Sequence, residues 1–531
     1  MSAAPALSEG VSAARLPHGI PYIVVNEFAE RFCYYGINSI LSVYLTQTLL
    51  FGDARATAWQ SLFKSAAYLF PLLGAVVSDV FWAKFRTIMV FSIVYTIGCF
   101  LLAFNHGTAQ LALGLFLIAF GTGGIKPCVS TNVGDQFTER NRQLIERAFS
   151  WFYLSINAGA LISIWLCPIL LPAWGARWAF GVPGGMMALS VVVFWLGRHH
   201  YAVVPPAGRA WLRDVFSAEG RRAILGLAGL YLFLAVYWSL WDQSNGTTWT
   251  LQATSDLMDK DLGFGLHVLP AQVQMANAVF ILLLVPLFSY VVYPLVGRVL
   301  RVTPLRKIGA GLFTIAGAFL LVAWIAASIR RGESVSVWWQ ILAYLILTSS
   351  EVLVSITALE FSYTQAPLRL KSFIMALFLL STSLGNLFTA GVNAFMVRPL
   401  AVTDVAAGAR TWVQVADATR LETGQKIDFS GYNGLVVERA AEPRGQPLEG
   451  TFLVAAVDRG HGRVEIMDPV HRRPVSTRGA FAAHTARVST YALVGGQYFV
   501  FFAAVMAGVG VLFVLVAPFY RERSFVRSAA G

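Results

Sequence analysis

Six ionisable residues stand inside stretches otherwise apolar enough for hydrocarbon: Glu27, Glu30 and Arg31 close together, and Lys126, Asp242 and Glu351 each alone. A charge facing lipid at the bilayer centre costs about 2.5–3.5 kcal/mol, so such residues are expected to face a polar interior and to have a task there. In Asn26-Glu27-Phe28-Ala29-Glu30-Arg31-Phe32-Cys33-Tyr34-Tyr35-Gly36, the positions Glu27, Glu30 or Arg31, Tyr34 and Asn38 recur at helical spacing and define one polar stripe. Two acids competing for one base leave a carboxyl group whose protonation can change, which a simple ion pair locking two helices does not. Lys126 closes the run Gly121-Thr122-Gly123-Gly124-Ile125 and precedes Pro127. The glycines permit close packing or bending, the proline frees a backbone carbonyl, and the lone lysine needs an anionic partner. Asp242 and Glu351 are separate acids in the second half of the chain. With Arg31 and Lys126 opposed to Asp242 and Glu351, the interior can hold a zwitterion end to end; two extended residues span roughly 7 Å and three roughly 10 Å. Asp79, followed by Lys84 and Arg86, suits helix ends at a gate. Lys64 is compatible with a snorkelling lysine, a gate partner or a cavity residue.

The elements that position these side chains follow from composition. Of 531 residues, 56% are hydrophobic and 13% charged, and the mean hydropathy is +0.62, which excludes a soluble globular protein. Apolar stretches of about 20 residues, the length that crosses the bilayer as a helix, recur about twelve times. Their approximate spans are 20–50, 57–82, 86–105, 109–131, 146–171, 177–198, 222–253, 271–300, 305–328, 336–365, 370–397 and 491–520. A net charge of +12 has a topological explanation that needs no nucleic acid. Lys84 and Arg86, then Arg140, Arg142 and Arg147, Arg198 to Arg222, Arg298 to Lys307, Arg369 with Lys371, and Arg521, Arg523 and Arg527 fall on alternate connections, which places both termini in the cytoplasm. No cleavable signal pattern precedes the first span. Cys33, Cys99, Cys128 and Cys167 all lie in spans and read as free thiols.

The fold class expected is an all-α polytopic membrane protein: an N-terminal six-helix bundle at 1–198, a cytoplasmic linker at 199–221, five helices at 222–398, a small β-rich extracytoplasmic domain at 399–489, and a last helix with its tail at 490–531. Within the polar interval, Thr411 to Val415, Gly434 to Arg439, Thr451 to Val457 and Arg463 to Met467 read as strands, with a hairpin turn at Asp458 to Gly462. No ligand-like constellation stands out there, so a cap or spacer is the expected role over substrate capture.

The first span matches the ExxERFxYYG pattern of the proton-dependent oligopeptide transporters, a family of the major facilitator superfamily. Gly121 to Pro127 with Gly134-Asp135-Gln136-Phe137 resembles that family's fourth-helix signature, and Phe152-Tyr153-Leu154-Ser155-Ile156-Asn157-Ala158-Gly159 its fifth. Asp242-Gln243 with Trp249-Thr250-Leu251-Gln252-Ala253, Asn277, and Glu351 with Leu359-Glu360-Phe361-Ser362-Tyr363 resemble the animal-type peptide transporters in particular. The resemblance covers essentially every span but not the β-rich interval. It implies two six-helix bundles rocking about a central site and inward symport of di- and tripeptides with protons. It implies Glu27, Glu30, Arg31, Lys126 and Asp242 for proton coupling, with Lys126 both a salt-bridge partner and a carboxylate ligand. Glu351 would hold the peptide's amino end, aided by Asn157 and Asn277. Tyr34, Tyr35, Tyr68, Tyr153, Trp238 and Phe378 would line the substrate pocket. Asn38 stands where many bacterial members have a second cavity arginine, Ser61 where animal members have a histidine, and Phe378 where a tryptophan is expected.

These features imply no enzymatic activity and no cofactor, since neither nucleophile elbow, phosphate loop nor metal-ligand spacing stands out. A monomer in a bacterial inner membrane is the expectation, or a plasma membrane in a eukaryote. The rival readings are a carrier of another organic anion or nitrate, against which Glu351 and the intact ExxER motif argue, and a non-transporting peptide sensor.

Overall fold

The computed structural model describes residues 16–520 apart from 138–140, 142–143, 203–204, 207, 209–216, 264, 366–370, 432, 440–441 and 483–485. Arg140, Arg142, Arg209, Arg213, Arg369, Arg521, Arg523 and Arg527 lie outside the described residues, as do the side chains of Asp79, Tyr363 and Lys371.

Apolar sequence with helix-initiating residues at its edges forms the expected rods. The first six are α1 (Ile20–Val43), α2 (Asp53–Val76), α3 (Lys84–Ala103), α4 (Thr108–Asp135), α5 (Ile145–Trp174) and α6 (Ala176–Leu196). The second set is α7 (Ala218–Ser244), α8 (Met275–Leu287), α9 (Pro304–Arg331), α10 (Val337–Glu351), α11 (Lys371–Phe395) and α12 (Gln497–Val516). Ser217 and Thr303 cap α7 and α9 by accepting the backbone N–H of Gly220 and Arg306. Gly332, in the left-handed region, ends α9. Wider π turns extend α1, α2, α8 and α10, and the one on α10 begins immediately after Glu351.

Ten of the described helices are long and apolar enough to cross a membrane. The two other rods are α1 and α2. They have 24 residues each, and their polar content, with Glu27, Glu30 and Arg31 in one and Gln60 and Lys64 in the other, keeps them out of that set. Helices α1–α6 close around one apolar core that includes Ile37, Tyr95 and Phe180, and α7–α12 around another that includes Trp249, Phe319 and Phe502. The glycines of α4 allow the close packing read from the sequence: a Cβ on Gly123 would lie 2.2 Å from the Phe70 Cβ on α2. Across the two bundles α2 packs along α11, where the Ser65 and Ser383 hydroxyls are 3.0 Å apart.

Two boundaries differ from the sequence reading. The span expected at 222–253 is interrupted, since α7 ends at Ser244 and a short helix resumes at Thr248–Ala253. Gly246 makes the turn at φ +75°, with its Cα so near α1 that a Cβ would sit 2.3 Å from the Asn38 carbonyl oxygen. The last helix starts at Gln497 instead of near 491, because Arg487–Tyr491 is a strand of the β-rich domain.

That domain lies between α11 and α12. Its larger sheet joins Val397–Pro399, Arg487–Tyr491, Lys426–Ser430, Gly450–Asp458, Arg463–Met467, Trp412–Val415 and Val402–Ala406 in that spatial order. The expected hairpin is present, with Asp458 paired to Arg463. The first and last strands of the domain run antiparallel, Val397 opposite Tyr491 and Pro399 opposite Ser489, so the chain enters and leaves side by side. Val413, Val454, Val464 and Ile466 fill its core.

A Gly246→Ala substitution combines a left-handed φ with a backbone clash, and should cost about 1–3 kcal/mol. A lowered melting midpoint of the detergent-purified protein is expected; an unchanged one contradicts this account of the α7 break.

Candidate functional site in the cleft between the bundles

The polar stripe of α1 is buried as its spacing requires. Arg31 lies 2.7 Å from Glu27, one turn earlier on the same helix, and 3.0 Å from Glu30. The Thr122 hydroxyl of α4 donates to Glu30. The arginine side chain is 12% exposed and the two acids 3% and 0%, so two carboxylates share one cation in a nearly dry site.

Lys126 does not pair with either acid, contrary to the partner expected for it. Arg31 is covalently closer to both and takes them. The lysine ammonium sits instead 4.2 Å from the centre of the Tyr34 ring and 4.3 Å from that of Tyr68, and among the described residues it has no hydrogen-bond partner. Cation–π contacts supply about 0.5–2 kcal/mol each, whereas removing an ammonium from water costs several. This cation is held in place but under-compensated, which is the electrostatic condition for taking up an anion.

In the second bundle, Glu351 accepts from the Asn277 amide of α8 at 2.8 Å, and Asn277 also reaches the Thr348 hydroxyl at 3.0 Å. No ion pair holds this acid among the described residues. Trp238 and Phe378 meet edge to face at 6.1 Å and are both buried in the aromatic core of α7 and α11. Tyr34 and Tyr35 are likewise edge to face, at 5.5 Å. Tyr153 is 57% exposed, and the Asn157 amide is turned to the Tyr153 carbonyl one turn away on α5.

Asp242 belongs to a third cluster that bridges the bundles. Lys64 of α2, 1% exposed, lies 3.7 Å from the Asp242 carboxylate and donates to the carbonyls of Asp242 at 2.7 Å and Asn245 at 2.6 Å. That burial excludes a snorkelling lysine. Asn386 of α11 donates to the other carboxylate oxygen. The ammonium caps the C-terminal carbonyls of α7, where the helix dipole favours positive charge. One turn further out, Asn38 donates to the Asn245 carbonyl at 3.1 Å, Gln60 donates to the Asn38 carbonyl at 2.8 Å, and Ser42 donates to the Gly246 carbonyl at 2.5 Å. Asn38, which the resemblance sets at the position of a second cavity arginine and so among the substrate-binding residues, is engaged instead in a seal between α1 and the broken end of α7. At the opposite end Lys84 pairs with Asp135 of α4, Arg86 lies in the first turn of α3, and the Asp79 side chain is outside the described residues.

Sequence reasoning missed four of these partners: Lys64 for Asp242, Thr122 for Glu30, Asn386 for Asp242, and Asp135 for Lys84. The first was findable, because a lone buried cation in one half and a lone acid in the other need each other electrically. The four cysteines are buried and free. Among the described residues no group of three or more His, Cys, Asp or Glu could hold a metal.

Two helical bundles with buried charges converging on the cleft between them define a membrane transporter of the major facilitator type. The chain belongs to the POT family, whose model (PTR2) matches residues 85–218 and 209–413; it is a family of transporters and not of enzymes. Solute carrier family 15 member 2 of Danio rerio is 37% identical over 352 residues, covering 57% of this chain and 48% of that protein. The chain spans about half the length of the curated relatives it matches. The crystal structure of the POT family transporter PepTSo superposes with a TM-score of 0.65 at 33% identity, covering 72% of this chain and 90% of that one. An auto-inhibited POT family peptide transporter superposes with a TM-score of 0.71 at 27% identity, covering 97% and 99%.

Removing Lys64 strands Asp242 in the seal, so Lys64→Met should destabilise by about 3–5 kcal/mol. The Lys64→Met, Asp242→Asn double variant should recover most of that loss. Thermal melting of the three variants checks this, and additive losses would show that the two residues do not act as a pair.

Proposed function

We propose that this protein imports di- and tripeptides together with protons by alternating access. The observation that carries the reading is the contrast between the halves: among the described residues an under-compensated ammonium, Lys126, stands in one bundle, and a carboxylate without an ion-pair partner, Glu351, in the other. A peptide offers the complementary termini. Its carboxylate goes to Lys126, with Arg31 available once an acid lets go, and its ammonium goes to Glu351, oriented by Asn277. Tyr34, Tyr35 and Tyr68 surround the carboxylate end, while Tyr153, Asn157, Trp238 and Phe378 bound the remaining volume. Relatives described as peptide transporters point the same way.

Coupling follows from the competition already inside the site. Arg31 holds both Glu27 and Glu30, and protonating either carboxyl weakens its grip and frees guanidinium donors for substrate. Protonating Asp242 removes the charge that faces Lys64 across the seal and favours parting of α2 from α7. Deprotonation from the other side restores both clusters and expels the peptide. In this reading Asp79, Lys84 and Arg86 belong to the inner gate, the β-rich domain lies outside, both termini are cytoplasmic, and the monomer works in a bacterial inner membrane. The boundaries at 198, 221, 398 and 489 then separate first bundle, linker, second bundle, outer domain and last helix.

Proteoliposomes with an imposed inward proton gradient should accumulate labelled dialanine, and Glu351→Gln should abolish accumulation. Absence of gradient-driven uptake by the unaltered protein, or nitrate competing where dipeptides do not, would move the reading to another anion. Glu30→Gln should lose gradient-driven uptake and keep peptide exchange; unchanged uptake removes Glu30 from the coupling step.

A further inference from the structure

The β-rich domain touches both bundles, and its two attachments are unlike. To the second bundle it is joined covalently at α11 and α12. It is pinned there again by Arg330 of α9 to Glu422, by the Arg472 guanidinium to the Ile329 carbonyl at 2.9 Å, and by Asp256 to His471 at 2.7 Å. The Asp256 backbone N–H also donates to the Val470 carbonyl at 3.1 Å. To the first bundle it is joined along one short segment, the turn from α1 into α2. There Lys426 pairs with Asp53, the Asp53 N–H donates to the Thr451 hydroxyl at 2.9 Å, and the Ala54 N–H donates to the Tyr491 hydroxyl at 3.4 Å.

This seam is built closely. A Cβ on Gly52 would lie 1.9 Å from an oxygen of the Asp428 carboxylate, which accepts hydrogen bonds from Thr451 and Tyr491. Burial pushes the Asp428 carboxyl up to about 6 against the lowering effect of those two hydroxyls, the mark of a seam that excludes water. Behind it lies a cavity of about 560 Å³, roofed by the domain and lined by Thr57 of α2, Thr248 after the α7 break, Arg330 of α9 and Tyr498 of α12. Of its lining, Thr57 stands one turn of α2 before Gln60 and Thr248 three residues after Asn245, both of which take part in the seal.

We infer that the β-rich domain is a clasp across the outer ends of the two bundles, and that the Asp53–Lys426 seam is the half that must part each time the cleft opens on that side. Opening separates α1 and α2 from the end of α7. A domain fixed by chain and by these side-chain contacts to the second bundle must travel with it, so the strain falls on residues 50–54. While the seam holds, the vestibule and the seal beneath it stay closed. This inference rests on the alternating-access reading for its consequence, but its test needs no substrate.

The test uses the full-length protein with spin labels at Gly107→Cys, in the exposed α3–α4 connection of the first bundle, and at Arg459→Cys, at the exposed tip of the β hairpin. Pulsed electron resonance measures the distance between them in proteoliposomes. Lys426→Glu, which sets two acids face to face, should broaden the distribution towards longer distances, and Asp53→Lys combined with Lys426→Asp should restore it. Melting midpoints of the variants identify any that fail to fold, and a folded Asp53→Asn variant then takes the place of Lys426→Glu. An unchanged distribution in a folded release variant, or a broadened one that the exchanged pair does not restore, overturns the clasp. Failure of dialanine uptake leaves the distance result unaffected and so separates the two proposals.

Discussion

A charge inside a bilayer-spanning bundle has to find its compensation within a few ångströms, and the arrangement of this protein follows from how each buried charge does so. Arg31 is over-supplied, with two carboxylates and one of them bonded to Thr122 as well. Lys126 is under-supplied, with two aromatic faces and, among the described residues, no acid. Lys64 is satisfied by backbone carbonyls as much as by Asp242. Under the proposed function those three degrees of compensation correspond to three jobs: storing a transferable proton, awaiting an anion, and holding a seal.

The seal in turn depends on backbone chemistry that side-chain patterns do not advertise. Ending α7 at Ser244 leaves carbonyls without intrahelical donors, and in hydrocarbon such groups need partners. Lys64, Asn38 and Ser42 provide them from the first bundle. The break is therefore what allows the two bundles to be joined by hydrogen bonds between main chain and side chain, a connection that a continuous helix would not offer.

Much of this was legible in the residues. Helix number and approximate limits follow from apolar length, and the α1 stripe from the spacing of Glu27, Glu30 and Tyr34. Several strands follow from alternation, and close packing on α4 from its run of glycines, Gly121, Gly123 and Gly124. What was hidden depended on contacts between distant segments. Lys64 sits in an ordinary amphipathic-looking stretch; charge balance points to an acid in the other half, but the folded chain is what brings it to α7, 178 positions away. Lys126 looked as if it needed an acid because sequence cannot show that Arg31 would claim both. The α7 break was missed because Trp249 to Ala253 is apolar enough to continue a span, and Gly246 signals a turn only once α1 is known to press against it. Lys426–Ser430 was passed over as a strand although Ile427 and Phe429 alternate with Lys426, Asp428 and Ser430; what the alternation alone does not reveal is that Asp428 faces Gly52 in the turn before α2.

The paired first and last strands of the β-rich domain carry a consequence for how such a chain can be built. Cα atoms opposite one another on antiparallel strands are about 4.5–5.5 Å apart, so some ninety residues of insertion return to nearly the point at which they leave. For the helices on either side, the whole domain is geometrically equivalent to a tight hairpin. The loop-closure entropy is absorbed by the domain's own folding, and α11 and α12 need not shift to accommodate it. A module rooted in this manner can be gained, lost or exchanged between otherwise similar helical cores without rewriting their packing, which makes its boundary a natural site for recombination.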